Sequence, residues 1–277
     1  MGRLVVVAAP IGNIGDISER VKSAIARATF VAAEDSRRFA RLCKDLSIES
    51  NARVISFFEG NEKDRLQELT DALMGHDEVI LITDSGMPGI SDPGYRAISL
   101  ALEKGFPIQV LPGASAVTTA LLLSGLPVDR FAFEGFPPRT DSARDKYFEE
   151  LITEERTLVF FEAPHRINAF LDSATKFFGP DRKAAICREM TKTYEEVHRG
   201  SLAELLQWAN SKEMLGEFTV VIAGFDPSKI TYSDEEIFEM VKRYEASGIT
   251  RKEAISMVAK EKSLPKRKIF DIMVAHK

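Results

Sequence analysis

The residues best suited to chemistry lie in a glycine-rich turn, residues 83–94, that follows a short apolar run. Asp84 stands at its start, with Gly86 and Met87 close behind. Glycine lets the backbone approach a ligand, and the carboxylate can accept hydrogen bonds from hydroxyl or ammonium groups. Asp92 directly precedes a proline, which is typical of a helix cap, so we expect a structural role for it. The turn therefore predicts a ligand site centred on Asp84.

Two further turns have a similar make-up. Residues 9–16 contain Gly12 and Gly15, and residues 112–116 combine glycine, serine and alanine. Free amides at a helix start can bind an anion. The first turn lacks the complete Gly-x-Gly-x-x-Gly pattern of dinucleotide sites, so a nicotinamide enzyme is the last of the alternatives.

These turns must be positioned by the elements that precede them. The first half of the chain repeats one unit, a short apolar run, a turn and then a helical pattern, which predicts a parallel α/β sheet. The predicted strands of this half are 4–9, 30–33, 54–57, 79–83 and 108–111. A second series of runs and helices between 157 and 223 predicts a second α/β lobe. Ligands bind such sheets at the carboxyl ends of the strands, where the three turns lie.

Composition excludes several protein classes. The 277 residues, 44% hydrophobic and 29% charged, indicate a folded enzyme-sized chain and exclude collagen-like or disordered proteins. Two cysteines, Cys43 and Cys187, lie in distant apolar segments, so we expect free thiols in a reducing compartment. The longest apolar run is too short to span a membrane, and the four histidines lack metal-ligand spacing. We therefore expect a cytoplasmic protein with no metal and no membrane partner.

The end of the chain differs in charge from the rest. The whole sequence carries a net charge of -5, yet residues 228–277 hold 11 Lys and Arg against 8 Asp and Glu. Ser233 with Glu236, and Thr250 with Glu253, have the spacing of capping boxes that begin helices. Three short helices, the last of them basic, are typical of a helix-turn-helix that contacts phosphates, but equally of a helical cap with a solvated basic face.

A set of motifs resembles one known family. The motifs follow one another in order along nearly the whole chain: Ala-Pro-Ile-Gly-Asn at 9–13, Ala-Glu-Asp-Ser-Arg at 33–37, Ser-Asp-Pro-Gly-Tyr at 91–95, Pro-Gly-Ala-Ser-Ala at 112–116, Glu-Gly-Phe at 134–136, Glu-Ala-Pro-His-Arg at 162–166 and Arg-Glu-Met-Thr-Lys at 188–192. Together they resemble the RsmI-type 16S ribosomal RNA (cytidine-2'-O)-methyltransferases, which have the tetrapyrrole-methylase fold.

The resemblance implies a two-lobed α/β homodimer that holds S-adenosylmethionine in the cleft between its lobes and methylates a ribose in the RNA of the small ribosomal subunit. It implies lobes at 1–114 and 115–226 and a basic helical tail at 227–277. It also implies a set of cofactor-binding residues: Pro10, Asp84, Gly86, Met87, Ser115, Ala116, Ala163 and Thr219.

Further roles follow from the chemistry of methyl transfer to a hydroxyl. We expect alignment of the hydroxyl with the methyl group and sulfur to supply most of the rate acceleration. A base that accepts the hydroxyl proton could contribute further. The candidates for that base are Asp35, Glu59, Glu189 and Lys192. Asp35 could instead cap a helix, Glu59 could cap or pair with Lys63, and Glu189 with Lys192 could form an ordinary ion pair.

Guanidinium groups pair bidentately with phosphate, and a basic tail attracts RNA. The predicted RNA-binding residues are Arg37, Arg166, Arg188, Lys266, Arg267 and Lys268. The RNA could be naked or part of the assembled 30S subunit. The alternatives are a methyltransferase of the same fold acting on a tetrapyrrole or a protein, and a non-enzymatic nucleic-acid binder that uses the tail.

Overall fold

The computed structural model describes residues 2–229, 233–262 and 264–276. Its first half alternates strands and helices, as the repeated unit predicts. The strands are β1 (Arg3–Val7), β2 (Phe30–Ala33), β3 (Arg53–Ser56), β4 (Glu78–Ile82) and β5 (Ile108–Leu111). The helices are α1 (Glu19–Arg27), α2 (Ser36–Asp45), α3 (Glu62–Gly75), α4 (Tyr95–Glu103) and α5 (Ala116–Ser124).

The first sheet has the order β3-β2-β4-β1-β5, and every pairing in it is parallel. One face packs on α1 and α2, and the other on α3 and α4. Both faces are therefore buried, which is why the strands read as unbroken apolar runs. Because β1 lies between β4 and β5, the turns after these three strands meet at one edge of the sheet.

The second half contains a second sheet. Its elements are β6 (Phe131–Gly135), α6 (Asp141–Glu150), β7 (Thr157–Glu162), α7 (Ile167–Phe178), β8 (Lys183–Arg188), β9 (Glu196–Ser201), α8 (Leu202–Asn210) and β10 (Phe218–Ile222). The order is β6-β7-β10-β8-β9, with β6 and β7 parallel and the remaining pairings antiparallel.

Helices from both halves cover this second sheet. One face packs on α6, α7 and α8, where the rings of Phe148, Phe160 and Phe170 meet edge to face. The other face packs on α5, although α5 follows a strand of the first sheet. Helix α5 therefore belongs to the core of the second lobe.

A second compact unit begins at Gly224. It contains α9 (Asp234–Ala246), α10 (Arg251–Glu261) and α11 (Lys266–Ala275), which enclose a small apolar core around Val241, Val258 and Ile269. Both predicted capping boxes are present, since the hydroxyls of Ser233 and Thr250 accept the amides of the glutamates three residues on. The tail is therefore a folded three-helix unit.

The structure corrects one predicted helix start. We expected α4 to begin at Pro93 with Asp92 as its cap, but it begins at Tyr95, after Gly94. Gly94 has a φ of 135° and donates its amide to the buried carboxylate of Glu62 at 2.8 Å. Since the turn is pinned at Gly94, Asp92 lies outside the helix and caps nothing.

Candidate functional site

The three turns at the carboxyl edge of the first sheet are in direct contact. The amide of Ala9 donates to the carbonyl oxygen of Gly86 at 2.8 Å, and that of Ala8 donates to Leu111 at 3.2 Å. A side chain at Gly113 would place its Cβ 2.7 Å from the Cβ of Ala8, so only glycine permits this approach. The turns predicted from the sequence therefore form one surface.

This surface is one wall of a cavity of about 350 Å³, whose other wall comes from the second lobe. From the first half of the chain it is lined by Ile11, Ser85, Gly86, Met87, Ile90, Ser91, Asp92, Ser115, Ala116 and Val117. From the second half it is lined by Phe136, Phe161, Glu162, Ala163, Pro164, Met190, Glu217, Phe218 and Thr219. The lining is largely apolar with a few carboxyl and hydroxyl groups, as is usual for a small-molecule site.

Most of the predicted cofactor-binding residues line this cavity. They are Gly86, Met87, Ser115, Ala116, Ala163 and Thr219. Pro10 is absent from the lining, although its neighbour Ile11 contributes to it. Asp84 also lies outside it, beside a smaller cavity shared with Glu34, where its carboxylate is 3.4 Å from Arg38. Burial raises the pKa of Asp84 and of Glu34.

None of the predicted bases is among the residues that line the cavity. Asp35 caps α2 and binds Arg37 through both carboxylate oxygens, and these hydrogen bonds lower its pKa to about 2. A carboxylate held so firmly in its ionised form is a poor proton acceptor at neutral pH. Glu59 is exposed on the loop before α3.

Glu189 and Lys192 are brought together, with Glu217 completing the cluster. The ammonium of Lys192 lies 2.8 Å from Glu189 and 2.9 Å from Glu217. Burial opposes both charges, but the mutual hydrogen bond prevails, lowering the pKa of Glu189 and raising that of Lys192. The cluster adjoins the cavity, because Glu217 and Met190 are in its wall.

The three predicted arginines are engaged with protein acceptors. Arg37 is 89% exposed but pairs with Asp35. Arg166 is only 15% exposed, and its Nη2 donates to the carbonyl oxygens of Pro137 and Pro138. Arg188 donates to Glu196 and to the carbonyl oxygen of Leu215. Arg166 and Arg188 thus hold loops in place, which leaves them few donors for a phosphate.

The predicted basic residues of the tail have a different setting. Lys266, Arg267 and Lys268 form the exposed first turn of α11, and the side chain of Phe270 just beyond them is 56% exposed. Among the described residues, no ion pair involves these three cations. Their charges are therefore available to an external anion.

Sequence reasoning missed several lining residues. Phe136 and Glu217 lie in loops of the second half of the chain, and only the tertiary fold brings them beside the turns of the first sheet. The Asp-Pro pair at Asp92 predicts a helix cap, and this prediction is wrong. Asp92 instead lines the cavity, and its pKa is raised to about 7 by desolvation against the cavity wall and by the nearby carboxylates of Glu34, Asp84 and Glu217.

The described residues contain neither a metal-binding cluster nor a membrane-spanning helix. Within residues 2–229, 233–262 and 264–276, no three His, Cys, Asp or Glu side chains lie close enough together to hold a metal ion. In the same ranges, no helix combines the length and apolar character needed to cross a bilayer. Cys43 and Cys187 are both buried free thiols.

Comparisons with known proteins agree with this geometry. Residues 3–206 match the model of the Tetrapyrrole (Corrin/Porphyrin) Methylases. The chain is 47% identical to "Ribosomal RNA small subunit methyltransferase I" of Mycobacterium bovis, over 93% of this chain and 89% of that protein. It is 38% identical to the protein of the same name from Halalkalibacterium halodurans, over 98% of this chain and 94% of that protein.

Among solved structures, uroporphyrin-III C-methyltransferase from Thermus thermophilus, complexed with S-adenyl homocysteine, aligns with a TM-score of 0.57. The alignment covers 80% of this chain and 97% of that one at 17% identity, so it shows a shared fold. The chain is a methyltransferase that belongs to the tetrapyrrole methylase family and, within it, to the ribosomal RNA small subunit methyltransferase I proteins.

Proposed function

We propose that this protein transfers a methyl group from S-adenosylmethionine to the 2'-oxygen of a cytidine ribose in 16S ribosomal RNA. The observation that carries the proposal is the cavity at the carboxyl edge of the first sheet, lined by both lobes, in a chain that is 47% identical to a ribosomal RNA methyltransferase.

The lining suits S-adenosylmethionine in its polar and its apolar parts. Helix α5 begins at the cavity. The hydroxyl of its N-cap residue, Ser115, accepts no hydrogen bond from the amides of the first helical turn. The free amides of a helix start favour a carboxylate such as that of the methionine portion. Ile11, Phe161 and Met190 supply apolar walls for the flat adenosine portion. We therefore assign cofactor binding to the residues predicted for it and add Ile11, the neighbour of Pro10. Asp84 belongs to this set from a position beside the cavity, outside its lining.

Bound S-adenosylmethionine supplies an electrophilic methyl group on a positively charged sulfur. The protein has to align the ribose hydroxyl with that methyl group, and alignment alone can provide most of the acceleration. The turns after β1, β4 and β5 form a rigid wall for this purpose, since backbone hydrogen bonds join them. The second lobe closes the other side with Ala163 and Thr219, which limits access of water.

Glu189, Lys192, Asp35 and Glu59 remain predictions as catalytic residues. Glu189 and Lys192 adjoin the cavity as an ion pair, an arrangement that suits a role in fixing its wall. The amide of Asn13, in the first turn, donates to the hydroxyl of Thr191 at 3.0 Å. The loop that contains Glu189, Thr191 and Lys192 therefore also connects the two lobes.

RNA binding is assigned to the basic first turn of α11 and, more weakly, to the arginines. Lys266, Arg267 and Lys268 are exposed, and in the described part of the chain no ion pair reaches them. Each phosphate contact releases counterions, so affinity is expected to fall as salt rises. Either naked RNA or the assembled 30S subunit could be the partner.

The homodimer and the cytoplasmic location complete the proposal. Large apolar side chains are exposed on α4, β5 and α5, and β5 is an edge strand of the first sheet: Tyr95, Leu102, Val110 and Leu122. The proposal places the partner subunit on these side chains, because covering exposed apolar surface favours association. Both cysteines are unpaired and buried, as is usual in a reducing compartment.

The experiment is methyl-labelled S-adenosylmethionine incubated with the protein and small ribosomal subunits that lack the modification. The recovered RNA is then hydrolysed with alkali, which cannot cleave next to a methylated 2'-oxygen. We expect the label in an alkali-resistant dinucleotide that contains cytidine. Label on a base, or none despite demonstrated cofactor binding, contradicts the proposal and directs the search to a tetrapyrrole or a protein substrate.

A further inference from the structure

Three carboxyl groups line the cavity, and two of them are already committed. Glu162 is wholly buried: its Oε1 accepts the amide of Ala163 at 2.8 Å, and its unpartnered Oε2 is closed off from a bound molecule. Glu217 binds Lys192 at 2.9 Å. For the third, Asp92, no hydrogen bond or ion pair is found within residues 2–229, 233–262 and 264–276. Asp92 lines the cavity and is accessible to solvent. Asp92 is therefore the lining carboxylate that can receive a proton from a bound molecule.

The backbone around Asp92 is held firmly. Ser91 has a φ of 59°, a left-handed conformation that is unfavourable for serine. The amide of Gly89 donates to the carbonyl oxygen of Pro93 at 3.1 Å, and Gly94 is fixed by Glu62. Local strain that the surrounding contacts maintain is characteristic of functional sites.

We propose that Asp92 is the proton acceptor for the ribose hydroxyl, an assignment that rests on the proposed function. As the 2'-oxygen bonds to the methyl carbon, the carbon–sulfur bond breaks and its electron pair remains on sulfur, which loses its positive charge. The hydroxyl proton passes to a carboxylate oxygen of Asp92 and then to solvent. The balance of atoms and charge requires no other reactant.

The electrostatic surroundings of Asp92 suit this role. Desolvation by the surrounding cavity wall, together with the carboxylates of Glu34, Asp84 and Glu217, raises its pKa to about 7. Two of these neighbours have their own counterions, since Arg38 lies beside Asp84 and Lys192 beside Glu217. A base is most effective when its pKa lies near the working pH, because it is then both available and sufficiently basic.

The test compares Asp92→Asn with the wild type in single-turnover methylation of unmodified small subunits, at saturating S-adenosylmethionine and across a range of pH. General-base catalysis typically contributes about 10²- to 10⁴-fold, and we expect a loss of that order. Only the ionised carboxylate accepts the proton, so the wild-type rate should rise with pH and level off above about 7, whereas the rate of the variant should lack this dependence.

Asp172→Asn is the matched control, because Asp172 is exposed on α7, away from the cavity lining. It should retain the wild-type rate and pH profile. Calorimetric binding of S-adenosylhomocysteine and the thermal unfolding midpoint should be unchanged in both variants. A carbon-13 titration of the Asp92 carboxyl group gives its pKa without reference to activity, and a value near 4 contradicts the proposal.

The remaining outcomes separate this inference from the proposed function. If the wild type places no label on ribose, the proposed function fails. If it does and Asp92→Asn stays within about threefold with the same pH profile, the assignment of Asp92 alone is wrong. A variant that regains the full rate at higher cofactor concentration would make Asp92 a binding residue and would also refute the assignment.

Discussion

Replacing Arg166 by methionine removes the cation beside a carboxylate that is wholly hidden from solvent. The Glu162 side chain has 0% exposure, and its Oε1 lies 3.2 Å from the Nε of Arg166. Its other oxygen, Oε2, is buried and has no hydrogen-bond partner. Methionine keeps the apolar stem of the arginine, so the loss is mainly one of charge and donors.

The size of the effect follows from burial. Breaking a buried ion pair by removing one partner costs about 3–5 kcal/mol, because the remaining charge is left uncompensated. The carbonyl oxygens of Pro137 and Pro138 also lose the Nη2 donor, which adds about 1 kcal/mol. We therefore expect Arg166→Met to lower the free energy of unfolding by several kcal/mol, measured by urea denaturation.

The pH dependence gives a second measurement. Burial raises the pKa of Glu162, so the folded state binds its proton more tightly than the unfolded chain does. A raised carboxyl pKa makes the folded state relatively more stable at low pH, and this advantage is lost as pH rises through the raised value. Loss of Arg166 raises the pKa further. The deficit of the variant should therefore be larger at about pH 8 than at about pH 5.

Two controls make the result interpretable. Arg41→Met breaks an exposed pair with Asp45 and should cost at most about 1 kcal/mol. Adding Glu162→Gln to Arg166→Met should restore part of the loss, since no buried charge then remains. An Arg166→Met protein that unfolds like the wild type, but binds RNA with a salt dependence smaller by about one unit, would refute this reasoning and identify Arg166 as a phosphate contact.

The same contacts lead to two further predictions. Glu62→Ala leaves the buried amide of Gly94 unpaired, so it should lower the free energy of unfolding by about 1–3 kcal/mol. It should also slow methylation, because the turn is misplaced. An unchanged free energy of unfolding would contradict the role of this hydrogen bond. Replacing Lys266, Arg267 and Lys268 together by alanine should reduce the slope of log affinity against log salt by about two to three units in RNA-binding titrations. The free energy of unfolding should be unchanged. An unaltered slope would exclude the tail from the RNA interface.

The first sheet could be predicted from the sequence because its strands are buried on both faces. Their unbroken apolar runs, such as that of β4, are strong local signals. Strand β6 and helix α6 were not predicted. Strand β6 has only one buried residue among five and contains a glutamate and a glycine, so neither an apolar run nor a strict alternation marks it.

The candidate site was predictable where it depends on local turn chemistry. Glycine and serine after a strand mark Gly86 and Ser115 without knowledge of the fold. Glu217 and Phe136 reach the cavity only through the pairing of the second sheet, which is a long-range property. Asp92 was assigned to a cap because an Asp-Pro pair is common there, and the contact from Glu62 to Gly94 that moves the helix start is invisible in the sequence.

Helix α5 leaves the first sheet in chain order yet packs against Val159, Cys187 and Val221 of the second. The boundary for splitting the chain into independently expressed halves therefore lies before the helix, within residues 112–115. A cut after Gly125 would expose one face of the second sheet in the C-terminal fragment. The N-terminal fragment would then carry α5 without the sheet against which this helix packs. Helix α5 thus joins the two lobes, and the cavity-lining residues Ser115 and Ala116 lie where the chain passes from one lobe to the other.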